Sequence, residues 1–380
     1  MSVADPDQRA LVFASDTLIR SRGGRLLLHT TGGKLPAFES DQPMVIGWLC
    51  QFAKPCKVAD ALAGLADSDR GQAAQIIAYL ESGGTLVPAG DAAAVEDDAA
   101  TATARTRAHL RLLARTLYET ACDTLAFGPW IEQDLATRTG IGLERRLTAM
   151  LMGLDALRHE LAEARGRHLQ EQLRTLGVNA GDRELKLHIG AGEQRLGGWL
   201  NIDIHPAQLA MNVLRPLPFA DGSVRAVFVS HLLEHLYYPR DVRGFLGELH
   251  RTLQPGGRVR IVVPDIEQCI EAYTQHDAQF FASRRETWSW WPENPTRLED
   301  FLAYSGAGPE PGLLFESHKY GYDFDTLRKL LEECGYIDVQ RSEFMASAHA
   351  ELRVDDASAV AGAKYGQRYY SLFVEATRPV

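Results

Sequence analysis

The sequence is short of cysteine, of surplus positive charge and of long apolar runs, and each shortage removes a class of protein. Five cysteines in 380 residues, an odd number spread from Cys50 to Cys334, argue against a disulfide scaffold and for the reduced thiols of a cytoplasmic chain. Cys50 and Cys56 lack the close pairing of a zinc knuckle. Forty Lys and Arg stand against 50 Asp and Glu, a net charge of −10, which argues against nucleic acid as a partner because neutralising phosphates needs concentrated cations. No run reaches the roughly 20 apolar residues of a membrane span. The polar start, Met1–Arg9, does not read as a signal peptide. What is present is 45% hydrophobic, enough for two or three cores.

The first ninety residues read as a separate unit. Leu11–Ala14, Thr17–Arg20 and Arg25–Thr30 have strand composition around a Gly23-Gly24 turn; helical stretches follow at Pro43–Ala53, Val58–Leu65 and Gln72–Glu81, then a strand Thr85–Pro88. That order resembles a winged helix, and in particular the PqqD-like domains that recognise ribosomally made peptides by adding them as a strand to a sheet edge. The resemblance is one of pattern, and a dimerisation or packing role is the alternative. DNA reading is disfavoured, since Gly71–Glu81 offers no base-contacting Arg or Lys. Residues 91–106, rich in Ala and acids, read as a linker. Helices at Ala108–Ala126 and Leu143–Leu176 make a connector over 107–180. In the second helix Leu147, Leu154 and Leu161 repeat at seven with Met150, Leu157 and Ala164 between them, a stripe for a partner helix, either within the chain or in a homodimer.

The most informative stretch is Leu185–Pro206. An apolar strand, Leu185–Ile189, runs into Gly190-Ala191-Gly192, where missing side chains would let backbone amides approach a ligand. A second strand then ends in Asp203, placed to accept from two ribose hydroxyls. By itself Gly-x-Gly after a strand is also the spelling of a plain tight turn. Downstream come Leu214-Arg-Pro-Leu-Pro-Phe219, the strand Val224–Ser230, His231-Leu-Leu-Glu-His-Leu236, an amphipathic helix Val242–Leu253, the turn Gln254-Pro-Gly-Gly257 and the strand Arg258–Val263 closed by Pro264-Asp265.

In that order these motifs resemble the class I S-adenosylmethionine-dependent methyltransferases, from about Gly181 to a last strand at Ser371–Ala376. The resemblance implies an α/β fold with a seven-stranded Rossmann-like sheet over 181–380, a lid insertion at 274–322, and S-adenosyl-L-methionine as cofactor. It implies that Gly190, Ala191 and Gly192 face the methionine part, that Asp203 holds the ribose and that Ile204 packs beside the adenine. Asn212, Leu214, Ser230 and His231 complete the expected cofactor set. Two positions depart from the pattern: Gln194 stands where a third glycine is usual, and Asn212 where an acid usually reaches the adenine amino group, a bond its amide oxygen can still accept.

His231, Glu234 and His235 also spell a zinc-peptidase motif, His-x-x-Glu-His, with both histidines on one helical face; the strand before His231 and the surrounding motif order argue against it, and no metal is expected. At the carboxyl edge of the fourth strand, His231 is placed either as a general base or as a packing and capping residue. Asp265 has the same location and the same alternative, a helix N-cap for Ile266–Tyr273. Between Tyr273 and Tyr322, Trp288, Trp290, Trp291, Phe280, Phe281 and Phe301, with a Gly/Pro-rich loop Ser305–Gly312, form either aromatic walls for a ligand or the insertion's own core. His318, before the helix Asp325–Cys334, is the second candidate for a substrate contact; Arg284 and Arg285 suit a carboxylate or solvent. The expected reaction is in-line methyl transfer to an oxygen or nitrogen of a peptide or small-molecule substrate. The alternatives are a sugar or small-molecule enzyme whose first domain dimerises, and a non-catalytic scaffold.

Overall fold

The computed structural model describes residues 9–14, 17–22, 25–30, 35–53, 55–89, 99–179, 181–192, 194–204, 207–285, 293–305, 317–355 and 370–380. The chain divides into two compact units, Met1–Cys122 and Asp123–Val380.

The first unit contains β1 (Ala10–Phe13), β2 (Thr17–Arg22), β3 (Arg25–Thr30), β4 (Phe38–Ser40), α1 (Pro43–Leu49), β5 (Cys56–Lys57), α2 (Val58–Ala63), α3 (Asp67–Ser82) and β6 (Leu86–Pro88). The strands form two antiparallel sheets, ordered β5-β1-β6 and β2-β3-β4. Leu11, Trp48, Phe52, Ile77 and Leu80 fill a core of their own, and the Trp48 indole donates to the carbonyl of Ala61 at 2.8 Å, so its one polar atom is satisfied inside. The expected Gly23-Gly24 turn lies outside the described residues. Pro43–Ala53 is helical throughout but tightens to a 3-10 turn over Cys50–Ala53, and α3 starts well before Gln72, with Asp67 and Asp69 favouring its N-terminal dipole.

The linker expected at 91–106 is corrected in part: helix α4 (Ala99–Thr139) already includes 99–106, because a run rich in alanine has the highest helix propensity of any residue type. The same helix passes Gly128-Pro129 and ends only at Gly140, whose φ of 71° is left-handed. Helix α5 (Leu143–Thr175) packs Leu169 and Leu173 against the core of the second unit, and Gln172 bonds both the N–H and the carbonyl of Ala210. Farther along it, Met150, Leu157 and Leu161 are exposed on the single chain. No described helix is long and apolar enough to cross a membrane.

The second unit is built on β7 (Leu185–Ile189), β8 (Leu200–Asp203), β9 (Leu209–Ala210), β10 (Val224–Ser230), β11 (Leu253–Pro264), β12 (Ile337–Ser342) and β13 (Ser371–Thr377). They form the seven-stranded α/β sheet that was expected, ordered β12-β13-β11-β10-β7-β8-β9. β9, β8, β7, β10 and β11 run parallel, and β13 enters antiparallel to both neighbours. Central strands β10 and β11 carry the apolar runs Ala226–Val229 and Ile261–Val263, as strands covered on both faces require, while β7 alternates Leu and Ile with Lys186 and the buried His188. The chain leaves β7 toward β8 on one side and returns to β10 on the other, so a crevice opens at the carboxyl ends of β7 and β10, where such sheets bind ligands. The expected turn Gln254–Gly257 is taken into β11, with Gly256 at φ 75°.

Helices α6 (Arg240–Thr252), α7 (Ile266–Thr274), α8 (Ala278–Arg285), α9 (Arg297–Ser305) and α10 (Phe324–Glu333) cover the sheet and its insertion. The aromatic-wall expectation is corrected for Phe280 and Phe281. They are buried with Cys269, Ala303, Tyr304 and Tyr370 in the insertion's own core, which also gathers Phe301. Trp288, Trp290, Trp291 and residues 306–316, with most of the Gly/Pro-rich loop, lie outside the described residues, as do the side chains of Arg284 and Arg285.

One latch sets the Leu-Pro-Phe turn. Arg251 of α6 donates to the carbonyls of Leu217 and Phe219, while Glu248 accepts from the Leu217 N–H at 2.8 Å and from Arg251. Hydrogen bonding to Arg251 holds the Glu248 carboxyl below the usual carboxylate range. Its stabilisation is therefore complete above the unfolded value of about 4.3 and is lost as pH falls through the lower folded value. Glu248→Gln should lower the unfolding free energy by about 1 kcal/mol near neutral pH, and the difference in denaturant midpoints from the wild type should close progressively below about pH 4.

Candidate active site

The glycine loop is shaped by contact with β10. Gly190 has φ 78°, and a Cβ there would sit 2.2 Å from the carbonyl oxygen of Ser230. Only glycine permits both the left-handed turn and that approach. The loop amides are engaged within the chain. The N–H groups of Gly190 and Ala191 both donate to Ile202 O, at 3.0 and 3.1 Å, and Gly192 N–H donates to Asp203 Oδ2 at 2.7 Å. The end of β8 thus supplies the acceptors that these backbone N–H groups need. Gln194, where a third glycine was expected, closes the turn by donating its N–H to Ala191 O at 2.9 Å.

Asp203 ends β8 with its carboxylate partly exposed. Besides Gly192 it accepts the Ile204 N–H on Oδ1 at 2.6 Å, and each oxygen keeps a further lone pair. Ile204, next in the chain, and Leu214 are large apolar side chains 56% and 47% exposed, more than a core residue shows. Asn212 is exposed, and its Oδ1 accepts from the Leu214 N–H at 2.9 Å, so the oxygen expected to meet an adenine amino group already holds the turn.

Beyond β10 the backbone reverses. Ser230 is buried, and His231 adopts φ 46° with its N–H on Val262 O at 2.8 Å. Such a conformation is uncommon for a residue with a side chain and clusters at functional turns. The segment then forms only a 3-10 turn, Leu233–His235. His231 and His235 therefore do not share a helical face, and the zinc-peptidase spelling is not built. His231 Nδ1 lies 3.3 Å from Glu234 Oε1 and its Nε2 lies 3.3 Å from Ser371 Oγ, with the Tyr370 ring 5.5 Å away. Glu234 is 1% exposed. Burial opposes its charge, but the hydrogen bond from His231 and the neighbouring imidazoles hold its carboxyl below the ordinary value.

Asp265 caps α7: Oδ1 accepts the Glu267 N–H at 3.0 Å and Oδ2 the Gln268 amide at 3.3 Å. Burial raises its carboxyl pKa. His318 is not at the surface, which corrects the expectation of a substrate contact. It is 3% exposed, its Nδ1 lies 3.0 Å from Tyr304 O, and its ring meets His235 edge-on at 5.0 Å. Burial pushes its pKa down to about 4. The fold thus joins two clusters that were read separately, 230–235 and 317–319, through the Lys319 N–H on Glu234 O. Sequence reasoning missed Ser371 and Tyr370 beside His231. It also missed the facing of His235 and His318, for which no sequence spacing gives a signal.

A family model described as a methyltransferase domain matches residues 142–261, which hold the glycine loop, Asp203, the latch and His231. No curated protein matches the chain. Among solved structures the chain is similar to a SAM-dependent methyltransferase from Archaeoglobus fulgidus, at 16% identity over 56% of this chain and 94% of that one, TM-score 0.28. It is similar to an S-adenosylmethionine-dependent methyltransferase from Mesorhizobium loti, at 15% identity over 54% and 95%, TM-score 0.30. A third is the Haloferax volcanii complex of the Trm112 methyltransferase activator with a putative methyltransferase, at 13% identity over 60% and 96%, TM-score 0.29.

Gly190→Ala should be among the most damaging single changes in this unit, lowering stability by about 2 to 4 kcal/mol through the positive φ and the Ser230 clash. Gly192→Ala has open space around its Cβ and should cost about 1 kcal/mol from its φ alone. Thermal denaturation of the two variants beside the wild type checks the order.

Proposed function

We propose that this S-adenosylmethionine-dependent methyltransferase moves the methyl group in line to an oxygen or nitrogen of its substrate, with His231 taking the proton. The observation that carries the reading is the strand end at Asp203. An acid with spare lone pairs stands there, bonded to a glycine loop packed against β10, with Ile204 next to it exposed, as suits a nucleoside with a ribose diol. When bound, S-adenosyl-L-methionine supplies an electrophilic methyl on a sulfonium. Asp203 would hold the ribose, Ile204 and Leu214 would cover the adenine, and Gly190, Ala191 and Gly192 would shape the wall beside the methionine part. Asn212 would contribute a weaker polar contact than the acid it replaces.

His231 stands at the carboxyl end of β10, and Glu234 fixes its Nδ1 as a donor, which leaves Nε2 as the base. Ser371 Oγ and the Tyr370 ring border that nitrogen. Removing a proton helps an oxygen or nitrogen nucleophile, while most of the barrier reduction comes from holding it in line with the sulfonium. In this reading Asp265 and His318 keep the surrounding backbone in place, the first by capping α7 and the second through Tyr304.

For the substrate we favour a peptide, on the strength of the first unit. Its β2-β3-β4 sheet ends in the three-residue strand β4, an edge to which an extended chain can add. A small-molecule enzyme whose first unit or exposed α5 stripe dimerises is the second reading, and the exposed Met150, Leu157 and Leu161 are what favour it. With five free cysteines the enzyme suits the cytoplasm.

Calorimetry with S-adenosylhomocysteine tests the site. The native chain should bind with micromolar or better affinity, and Asp203→Ala should weaken binding at least tenfold; equal binding by both would sink the assignment. His231→Ala should keep that affinity within a few-fold while transfer of labelled methyl to an accepted substrate falls by about 10²-fold. An unchanged transfer rate would make the histidine structural.

A further inference from the structure

We propose that Glu234, His235 and His318 form a binding site for a divalent transition-metal cation of the zinc type, adjoining the cofactor pocket through the Glu234–His231 contact. One ligand atom from each residue lies within 4.8 Å of the others. The cluster is sealed: Glu234 is 1% and His318 3% exposed, and His235 is half-buried.

Hydrogen bonding shows which atoms face inward. Glu234 spends Oε1 on His231, while its Oε2 is buried without a hydrogen-bond partner. His235 reaches the backbone of Ser317 through one nitrogen, and its Nδ1 is buried without a partner. A bond to a carbonyl makes that first nitrogen the N–H, so Nδ1 presents a lone pair. His318 donates Nδ1–H to Tyr304 O at 3.0 Å, which makes Nε2 its lone-pair nitrogen. Metal-ligating histidines are held in this way, with the second ring nitrogen on a backbone carbonyl that fixes the tautomer and the ring plane.

A carboxylate oxygen and an imidazole nitrogen that bury lone pairs without a donor lose their hydration with nothing to replace it. A cation among them would offset that loss. Lys319 does not take its place: its amine is turned to Ser317 O and the face of Tyr237. Two imidazoles and one carboxylate are borderline ligands suited to Zn²⁺, Co²⁺ or Fe²⁺ rather than Mg²⁺ or Ca²⁺. Ligand bonds of about 2.1 Å in a tetrahedral site put ligand atoms about 3.4 Å apart, so from separations of up to 4.8 Å closure on the ion needs the side chains to draw together by roughly an ångström. Bound there, the ion would clamp the 231–235 segment to the 317–319 segment, adding to the Lys319–Glu234 backbone bond. The site differs from the zinc-peptidase spelling twice: His318 stands in for His231, and Glu234, a general base in that motif, is here a ligand.

The test uses the full chain, stripped with a chelator and titrated with Zn²⁺ alone and Co²⁺ alone. One equivalent should bind, Co²⁺ should show visible d–d absorption, and Glu234→Gln and His318→Ala should each weaken binding at least a hundredfold. His250→Ala, a histidine outside the cluster, should bind like the wild type. His318→Cys guards against variants that fail to fold, because a thiolate in the ligand set adds a near-ultraviolet charge-transfer band to the Co²⁺ spectrum. Absence of stoichiometric binding, or binding equal in wild type and His318→Ala with no new band in His318→Cys, would overturn the proposal. The titration involves neither S-adenosylmethionine nor turnover, so its outcome is separable from that of the transferase reading.

Discussion

The passage of Gly190 across the carbonyl of Ser230 is the constraint on which the rest of the second unit depends. A backbone contact this close removes any side chain from the loop and fixes the spacing between β7 and β10 at their carboxyl ends. Once the loop is there, its N–H groups find Ile202 O and Asp203 Oδ2, so the same contact that makes the turn also aims the acid. The turn beside the crevice is thus held by backbone donors satisfied within the chain.

The other wall of the crevice is held from farther away. Glu248 and Arg251 tie the turn before β10 to α6, and a buried Arg260–Glu375 pair joins β11 to β13, with Ser342 Oγ and the Glu343 carbonyl accepting from Arg260 and Ser347 Oγ donating to Glu375. A charge pair this deep is not evidence of net stability, but losing one partner would strand the other. Its use here is registry: Arg260 on β11 lies directly opposite Glu375 on β13, so a two-residue slip would bury both charges unpaired.

Strands β7, β10, β11 and β13 were legible in the sequence because short apolar runs bounded by Gly, Pro and Asp leave few other options. Gly190 was legible as the glycine after a strand, though the Ser230 carbonyl that requires it, like the Ile202 O that the loop amides meet, is set by strand pairing. Helix α4 was cut short because Gly128-Pro129 looks like an end, while the surrounding alanines and long side chains carry it through. His-x-x-Glu-His reads as helix by its letters; the left-handed φ of His231 follows from the Val262 contact, which no spacing encodes. The meeting of 231–235 with 317–319 joins segments about 80 residues apart in the sequence, and only the folded chain could reveal it.

The place of β13 has a consequence for how the chain is made. It sits between β11 and β12, so the inner edge of β11 waits for a strand encoded about 100 residues later. At a synthesis rate of roughly 5–20 residues per second that edge, rich in Val and Ile, stays uncovered for roughly 5 to 20 seconds. An open apolar edge is a template for strands of other nascent chains. Arg258 and Arg260, both on β11, put cations on that edge during the interval, so the buried pair of the finished sheet doubles as a gatekeeper against aggregation while the sheet is incomplete.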